Sequence, residues 1–225
     1  CTEINKTKPS AIEFVDRTTL KHIKFRFDKK TKCLLFVECD QNISLNEKKL
    51  KSISTGKIVQ KLKKESDIFR WWKYRDSSLH YSLKSIKKEN RIPHVIEDAA
   101  VSLENLPKLF RVINKLNKKY KTKSIVYGHA GNGNIHVRLI SNRTEITIIK
   151  EIATQYFEEI INLNGTITAE HGDGLARSEF IKTQYGNNNY KIFKEIKRLF
   201  DPKNVLNPGK IITKKSTIIK NLEVF

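Results

Sequence analysis

The segment SIVYGHAGNGNIHVRLI, residues Ser124–Ile140, decides the predicted fold. Ser124–Tyr127 and Ile135–Ile140 are short runs of apolar and β-branched residues, which are typical of strands. The stretch between them is rich in glycine and asparagine, the residues that tight turns favour. The segment therefore predicts two strands joined by a turn.

The sequence on either side of this hairpin predicts a split βαβ arrangement. A strand and an amphipathic helix precede the hairpin, and a long amphipathic helix and a short strand follow it, which gives the order βαββαβ of a ferredoxin-like unit. The flanking strands are Val95–Val101 and Gly165–Ala169, the first helix carries Leu106, Leu109, Phe110, Ile113 and Leu116 on one face, and the second is Thr144–Leu163.

The rest of the chain predicts a less regular unit of the same style, followed by a helical end. The predicted class is α+β, an antiparallel sheet with helices packed on one side, a ferredoxin-like second half and a C-terminal helical segment. The predicted strands are Ala11–Val15, Lys32–Cys39 and Lys57–Gln60; the predicted helices are Thr18–Lys24, Ser44–Ile53, Ser66–Lys88, Leu175–Tyr185 and Tyr190–Phe200; a turn is expected at 90–91.

The charge of the chain permits two interpretations. The 225 residues include 44 Lys and Arg against 24 Asp and Glu, a formal net charge of +20, which is the electrostatic footprint of many nucleic-acid-binding proteins. However, the lysines are scattered from Lys6 to Lys220 and accompany many Ile and Asn residues. That pattern favours the second interpretation, in which the excess of lysine reflects a compositional drift of the whole genome and not the binding of nucleic acid.

Composition also limits the location of the protein. No segment is apolar for long enough to span a bilayer, and Cys33 and Cys39 stand too far apart on one predicted strand to form a disulfide. A reducing cytoplasm is the expected location, with peripheral contact at the inner face of the membrane as an extension that the positive charge allows.

The residues that carry chemistry lie in two glycine-rich segments. Seven of the nine glycines fall between Gly128 and Gly186, within or near YGHAGNGNIHV and GTITAEHGDGLAR. His129 closes one predicted strand, His136 lies in the next, and Glu170 and His171 follow a third strand of the same sheet. Two histidines and a carboxylate are a common ligand set for a catalytic divalent metal.

Two readings of these histidines remain open from their spacing. In one, His129, His136 and Glu170 bind a metal and His171 is a general base, since imidazole titrates near neutrality. In the other, His129 and His136 only hydrogen-bond within a glycine-rich hairpin.

Three motifs in order resemble one family. GHAGNGNIHV resembles the GHxGDGNxH motif of the FAD-linked oxidases of the glycolate oxidase, D-lactate dehydrogenase and D-2-hydroxyglutarate dehydrogenase type. TAEHGDGLAR resembles their SxEHGxGxxK/R segment, and LFDPKNVLNPGKII resembles their C-terminal LFDPxxxLNPGK. FRWWKYRDSS also resembles a W-x-x-R helix of that family. The resemblance extends from about Ala11 to Ile212 and implies the C-terminal substrate, or cap, domain.

The resemblance implies roles for six residues. His129, His136 and Glu170 match positions that bind zinc or manganese, and His171 matches the catalytic histidine beside the flavin. Arg75 matches the arginine that binds the substrate carboxylate, and Asn207 matches an asparagine on the flavin side. The implied reaction oxidises a 2-hydroxy acid to a 2-oxo acid, with hydride transfer to FAD.

Two positions depart from the family pattern. The aspartate of GDGN is Asn132 here, which removes a carboxylate that would orient a metal-binding histidine. Arg138 stands two residues after His136, where a smaller or polar residue is common. Both departures affect the expected metal affinity, although neither removes a ligand.

These observations lead to one main expectation and two alternatives. We expect residues 1–212 to form the FAD-linked oxidase C-terminal domain and 213–225 a basic tail. The partners expected are an anionic 2-hydroxy acid and an FAD-binding domain in the same or a companion chain, without specific nucleic acid.

The alternatives are a metal-free FAD enzyme of the alkylglycerone-phosphate synthase type and a non-enzymatic ferredoxin-like module that binds RNA or anionic lipid. Because the chain starts at Cys1 and lacks Met, we expect it to be part of a longer or processed protein.

Overall fold

One five-stranded sheet organises the secondary structure, which confirms the predicted α+β class. The computed structural model describes residues 1–21, 23–53, 56–84, 93–141 and 146–213. The strands are β1 (Ala11–Asp16), β2 (Cys33–Glu38), β3 (Ala99–Ala100), β4 (Lys123–Gly128) and β5 (Asn134–Ile140), and their order in the sheet is β2-β1-β4-β5-β3.

Seven α-helices accompany the sheet in the described part of the chain. They are α1 (Thr2–Asn5), α2 (Arg17–Leu20), α3 (Ile43–Ser52), α4 (Glu65–Lys84), α5 (Leu106–Tyr120), α6 (Ile146–Asn162) and α7 (Ile181–Phe200). Short 3-10 turns occur at Leu103–Asn105, Ala130–Asn132 and Ser178–Phe180. Among the described helices, none combines the length and the apolar character that crossing a membrane requires.

The chain divides into two compact units, and it passes between them within β4 and β5. Unit 1 contains Cys1–Lys87 and Ile125–Ile135, and unit 2 contains Lys88–Ser124 and His136–Phe225.

Trp71 is the centre of the core of unit 1. It is 6% exposed and packs with buried Val15, Leu20 and Ile23. Its ring centroid lies 6.0 Å from that of Phe36 on β2. Burial of one large aromatic among apolar neighbours contributes about 2 kcal/mol or more to stability. Trp71 is therefore a core residue, whereas the adjacent Trp72 is half-buried.

β1 is fixed in register on both of its edges. It pairs antiparallel with β2 from Ala11↔Glu38 to Asp16↔Cys33, and it pairs antiparallel with β4 at Phe14↔Gly128 and Val15↔Tyr127. Because side chains alternate along a strand, Glu13 and Val15 share one face of β1 and Ile12 lies on the other, and all three are buried. β1 is therefore covered on both of its faces.

Asp16 connects the end of β1 to α2 and to β4. Its Oδ1 accepts hydrogen bonds from the backbone N–H groups of Thr18 (2.8 Å) and Thr19 (3.1 Å), which is the usual N-cap arrangement. Its Oδ2 accepts the N–H of Val126 at 2.9 Å. Burial raises the pKa of Asp16, and the three backbone donors offset part of that effect. One side chain thus satisfies three N–H groups of unit 1.

Unit 2 is built around the apolar faces of α5 and α6. The buried residues recur at helical spacing on both helices, which confirms the predicted periodicity. The buried set is Leu109, Ile113 and Leu116 on α5, Ile149, Ile152, Tyr156, Phe157 and Ile160 on α6, and Val137 and Leu139 on β5. At the surface Lys119 Nζ donates to Gln155 Oε1 at 2.9 Å.

The βαββαβ order is present in the observed elements, but its outer strands are shorter than predicted. Only Ala99–Ala100 of the predicted strand Val95–Val101 is a strand, and the predicted strand Gly165–Ala169 is reduced to one antiparallel bridge, Ala100↔Thr166. A Cβ on Gly165 would lie 2.5 Å from the carbonyl oxygen of Ala100. This close approach of two backbones requires glycine.

Other predicted elements differ from the structure in extent or type. The helix predicted at Thr18–Lys24 is only the four-residue α2. Lys57–Gln60 is not a strand. The predicted helices Leu175–Tyr185 and Tyr190–Phe200 are present with different bounds: a 3-10 turn at Ser178–Phe180 leads into α7, whose two helical parts meet at the non-helical Gly186 (φ 77°, ψ 171°). The interruption comes at the glycine because that backbone conformation disfavours residues with a side chain. The predicted turn at 90–91, the first residues of Thr144–Leu163 and the tail beyond Thr213 lie outside the described residues.

Replacement of Asp16 by alanine should destabilise unit 1. Asp16→Ala removes the N-cap and leaves the Val126 N–H without its carboxylate acceptor, so we expect the free energy of unfolding to fall by about 2–3 kcal/mol. Urea denaturation measures this change. The control is Glu3→Ala, which breaks an exposed ion pair with Lys6 and should cost less than about 0.5 kcal/mol. Equal losses in the two variants would contradict the role of Asp16.

Candidate functional site

In unit 1, Glu13 joins two of the predicted site residues. Its Oε1 lies 2.7 Å from Nδ1 of His129, and its Oε2 accepts Nε–H of Arg75 at 3.0 Å and also contacts Nη2 of Arg75. The Glu13 side chain is 9% exposed, so the charge of Arg75 offsets the burial of the carboxylate. We refer to these residues as the Arg75–Glu13–His129 chain.

In unit 2, four side chains form a group with the composition of a metal site. Asp98, His136, Glu170 and His171 each offer one ligand atom, and these atoms all lie within 4.8 Å of one another. Asp98 and His136 are buried, whereas Glu170 and His171 are exposed. We refer to these four residues as the His–carboxylate cluster. It brings together three of the predicted site residues, while His129 and Arg75 belong to unit 1.

His136 has the orientation that a metal ligand needs. Its Nδ1 lies 3.2 Å from the carbonyl oxygen of Glu97, which favours a proton on Nδ1 and a lone pair on Nε2. Nε2 in turn lies 3.2 Å from Oε1 of Glu170. Two atoms bound tetrahedrally to one zinc ion lie about 3.4 Å apart. The donor set and this spacing fit a divalent cation held by His136 and Glu170.

Asp98 holds the loop that carries Glu170 and His171. Its Oδ2 accepts the backbone N–H groups of Ala169 (3.0 Å), Glu170 (3.0 Å) and His171 (2.8 Å). Asp98 is fully buried, and three donors on one oxygen are a strong compensation for a buried carboxylate. The backbone of the loop is therefore fixed relative to the end of β5.

Glu97 orients the ring of His171. Its Oε1 lies 3.0 Å from His171 Nδ1, Arg177 Nη1 donates to the same oxygen at 3.4 Å, and Arg138 Nη2 lies 3.3 Å from Oε2. Burial raises the pKa of Glu97, but the charges of Arg138 and Arg177 together with the hydrogen bond from His171 more than offset it, so the pKa is lowered overall. Glu97 is therefore an anion at neutral pH and favours a proton on Nδ1 of His171.

The two histidine rings of the cluster are stacked. The centroids of His136 and His171 are 4.9 Å apart, and the rings are inclined by 10°. His171 Nε2 lies 3.7 Å from Glu170 Oε1, and 38% of the His171 side chain is exposed. This nitrogen is the accessible basic atom of the cluster.

Asn207 lies on the turn after α7. Its φ is 44°, a left-handed conformation that asparagine tolerates, and its Oδ1 accepts a hydrogen bond from Lys210 Nζ at 3.0 Å. It is exposed in this part of unit 2.

Four residues of these networks were not identified from the sequence: Glu13, Glu97, Asp98 and Arg177. The signal for Glu97 and Asp98 was two adjacent acids in the otherwise apolar run VIEDAAV, Val95–Val101. Acidic residues are rarely buried without partners. Arg177 stands in the motif TAEHGDGLAR without an assigned role, and its Nη2 donates to the carbonyl of Gly172 at 2.6 Å.

Comparison with known proteins decides the family. The family model described as FAD linked oxidases, C-terminal domain, matches residues 2–211. The chain belongs to this family. The match covers nearly the whole chain, in agreement with the extent of the resemblance in the three motifs.

The similar curated proteins are oxidoreductases of hydroxy acids by name. The glycolate oxidase subunit GlcD of Bacillus subtilis is 29% identical over 93% of this chain and 46% of its own length. A D-lactate dehydrogenase of Archaeoglobus fulgidus is 30% identical over 71% of this chain and 36% of its own length. A probable D-2-hydroxyglutarate dehydrogenase of rice is 26% identical over 71% of the chain and 27% of its own length. The chain thus spans less than half the length of these relatives.

Removal of the Asp98 carboxylate should release the loop that bears Glu170 and His171. Asp98→Ala removes the carboxylate that accepts the N–H groups of Glu170 and His171, whereas the N–H of Ala169 keeps the backbone carbonyl of Asp98 as an acceptor. We therefore expect the free energy of unfolding to fall by about 2–3 kcal/mol. Asp173→Ala is the matched control, because Asp173 lies in the same loop and accepts one side-chain hydrogen bond, from Thr168. Urea denaturation should show a loss of less than about 1 kcal/mol for that control. A similarly small loss for Asp98→Ala would contradict the role of the carboxylate.

Proposed function

We propose that the chain is the C-terminal substrate- and metal-binding domain of an FAD-dependent 2-hydroxy-acid dehydrogenase. The family membership and the names of the relatives support a hydroxy-acid oxidoreductase over a nucleic-acid or lipid-binding module. The observation that carries the proposal is the accessible Nε2 of His171, oriented by Glu97, beside His136 and Glu170. Glycolate, lactate and 2-hydroxyglutarate share the 2-hydroxycarboxylate group on which such a site would act.

His171 is the proposed general base. Its Nδ1–H donates to the Glu97 carboxylate, which leaves the lone pair of Nε2 free to accept the proton of the substrate hydroxyl. Glu97 then stabilises the imidazolium that forms, because Arg138 and Arg177 keep the carboxylate ionised. The roles of Glu97 and His171 thus resemble the carboxylate–histidine pair of many hydrolases.

His129, His136 and Glu170 are the proposed ligands of a divalent metal, zinc or manganese. The spacing of His136 Nε2 and Glu170 Oε1 supports two of them, and the resemblance of the GHAGNGNIHV motif supports the third. A bound divalent metal would lower the pKa of the substrate hydroxyl and so ease its deprotonation. Asp98 fixes Glu170 through its backbone, so the ligand needs little rearrangement to bind.

Arg75 is the proposed partner of the substrate carboxylate. Arginine binds a carboxylate through two parallel hydrogen bonds, and this fixes the face of C2 that is presented for reaction. In the proposed reaction His171 accepts the proton of the substrate hydroxyl, and the hydrogen of C2 would leave as hydride to an acceptor. FAD, held mainly by a domain in the same or a companion chain, would supply that acceptor, with Asn207 on its side of the site. A cytoplasmic location, expected from the cysteine usage, completes the proposal, with peripheral membrane contact that the net charge of +20 allows.

The proposal predicts that a 2-hydroxy acid reduces the flavin through His171. Anaerobic mixing of the FAD-loaded enzyme with D-lactate, glycolate or D-2-hydroxyglutarate should bleach the flavin absorbance with at least one of them. His171→Gln should slow that bleaching at least 100-fold, since it removes the base. His80→Gln, at an exposed histidine of α4, should leave the rate unchanged.

Stopped-flow absorbance separates the two parts of the proposal. Failure of all three acids to reduce the flavin would contradict the proposed reaction. A wild-type rate of bleaching in His171→Gln would contradict the assignment of the base and leave the reaction in place.

A further inference from the structure

Glu13 divides its two oxygens between two side chains that the proposed function uses. Oε1 faces Nδ1 of His129 at 2.7 Å, and Oε2 accepts Nε–H of Arg75 at 3.0 Å. The three residues come from β1, α4 and the turn after β4, and Glu13 is 62 and 116 positions away from its partners. A contact between such distant parts of the chain is fixed by the fold and not by local sequence.

The contact determines which nitrogen of His129 carries the proton. A carboxylate beside Nδ1 favours the tautomer with the proton on that nitrogen, so the lone pair is on Nε2. Histidines that bind metals usually donate their other N–H to a carboxylate or a carbonyl, and loss of that partner lowers the affinity for the metal. Asn132 stands where the resembled family has aspartate, and Glu13 provides a carboxylate for His129 from β1.

The same carboxylate restricts the guanidinium of Arg75. Nε and Nη2, one edge of the planar group, both face Oε2 of Glu13, and Nη1 lies 3.3 Å from Oδ1 of Asp76. The Arg75 side chain is 16% exposed. An arginine held in this way loses little further rotamer freedom when a carboxylate binds to it.

We propose that Glu13 is a positioning residue that holds the metal ligand His129 and the carboxylate-binding Arg75 in one fixed arrangement. The inference rests on the proposed function of these two residues. It follows that loss of Glu13 weakens metal binding and substrate binding together, although Glu13 itself touches neither the metal nor the substrate.

Glu13→Gln is the decisive variant because glutamine has the same shape but only one acceptor oxygen. In glutamate one oxygen accepts from His129 and the other from Arg75. The single oxygen of glutamine cannot serve both partners in this way. Glu38→Gln is the matched control, since it makes the same change of charge on β2, the strand paired with β1. The measurements are the zinc affinity of the metal-stripped FAD-loaded enzyme, KM and kcat for the 2-hydroxy acid, and thermal unfolding.

The proposal expects a zinc affinity at least tenfold weaker in Glu13→Gln. It also expects KM to rise at least tenfold, with both values unchanged in Glu38→Gln. A purely structural residue would lower the unfolding temperature without changing zinc affinity or KM. A wild-type zinc affinity together with a wild-type KM in a folded Glu13→Gln variant would overturn the inference.

A second variant keeps the test decisive if Glu13→Gln does not fold. Glu13→Asp retains the charge but shortens the side chain by one methylene, so its oxygens no longer reach both partners, and zinc affinity and KM should change in the same directions. Wild-type values of both in Glu13→Asp would equally overturn the inference. The outcome is separable from failure of the proposed function, in which the wild-type enzyme itself binds no zinc and oxidises no 2-hydroxy acid.

Discussion

One oxygen of one buried carboxylate fixes the backbone of the loop that brings Glu170 and His171 to the His–carboxylate cluster of unit 2. Oδ2 of Asp98 accepts three successive backbone N–H groups, those of Ala169, Glu170 and His171. Without this acceptor the N–H groups of Glu170 and His171 would lose their carboxylate partner, which is costly in a protein interior, while that of Ala169 would keep only the backbone carbonyl of Asp98. Glu170 and His171 meet His136 because their backbone is held at Asp98. The chemistry proposed for the cluster therefore depends on Asp98, although Asp98 has no proposed part in the reaction.

Each of the two units contains a buried carboxylate that is paired with arginine and with a histidine. In unit 1 Glu13 accepts from Arg75 and faces Nδ1 of His129; in unit 2 Glu97 faces Nδ1 of His171 and is paired with Arg138 and Arg177. Each carboxylate is largely buried, and in each case arginine offsets the cost of burying its charge. Each also leaves Nε2 as the basic nitrogen of a histidine. The same combination of a buried glutamate, an arginine and a histidine thus occurs twice in this chain.

The sequence predicted the elements that follow from local patterns. The hairpin appears as Lys123–Gly128 and Asn134–Ile140, and the periodic helices appear as α5 and α6, because alternation, turn residues and helical spacing act over a few residues. The glycine-rich segments also located His136, Glu170 and His171. Glu97 and Asp98 were read only as part of the predicted strand Val95–Val101, because no local pattern shows their partners between Ala169 and Arg177, more than 70 residues away. Glu13 was missed for the same reason, since no local pattern shows that β1 brings it to His129.

The most direct test of this account is X-ray absorption spectroscopy of the zinc-loaded, FAD-containing enzyme. The account predicts a first shell of nitrogen and oxygen ligands at about 2.0–2.2 Å, with the outer-shell scattering of two imidazole rings. In His136→Ala one imidazole contribution should disappear or the zinc should be lost. A shell that contains only oxygen, without imidazole scattering, or a wild-type enzyme that retains no zinc, would contradict the account.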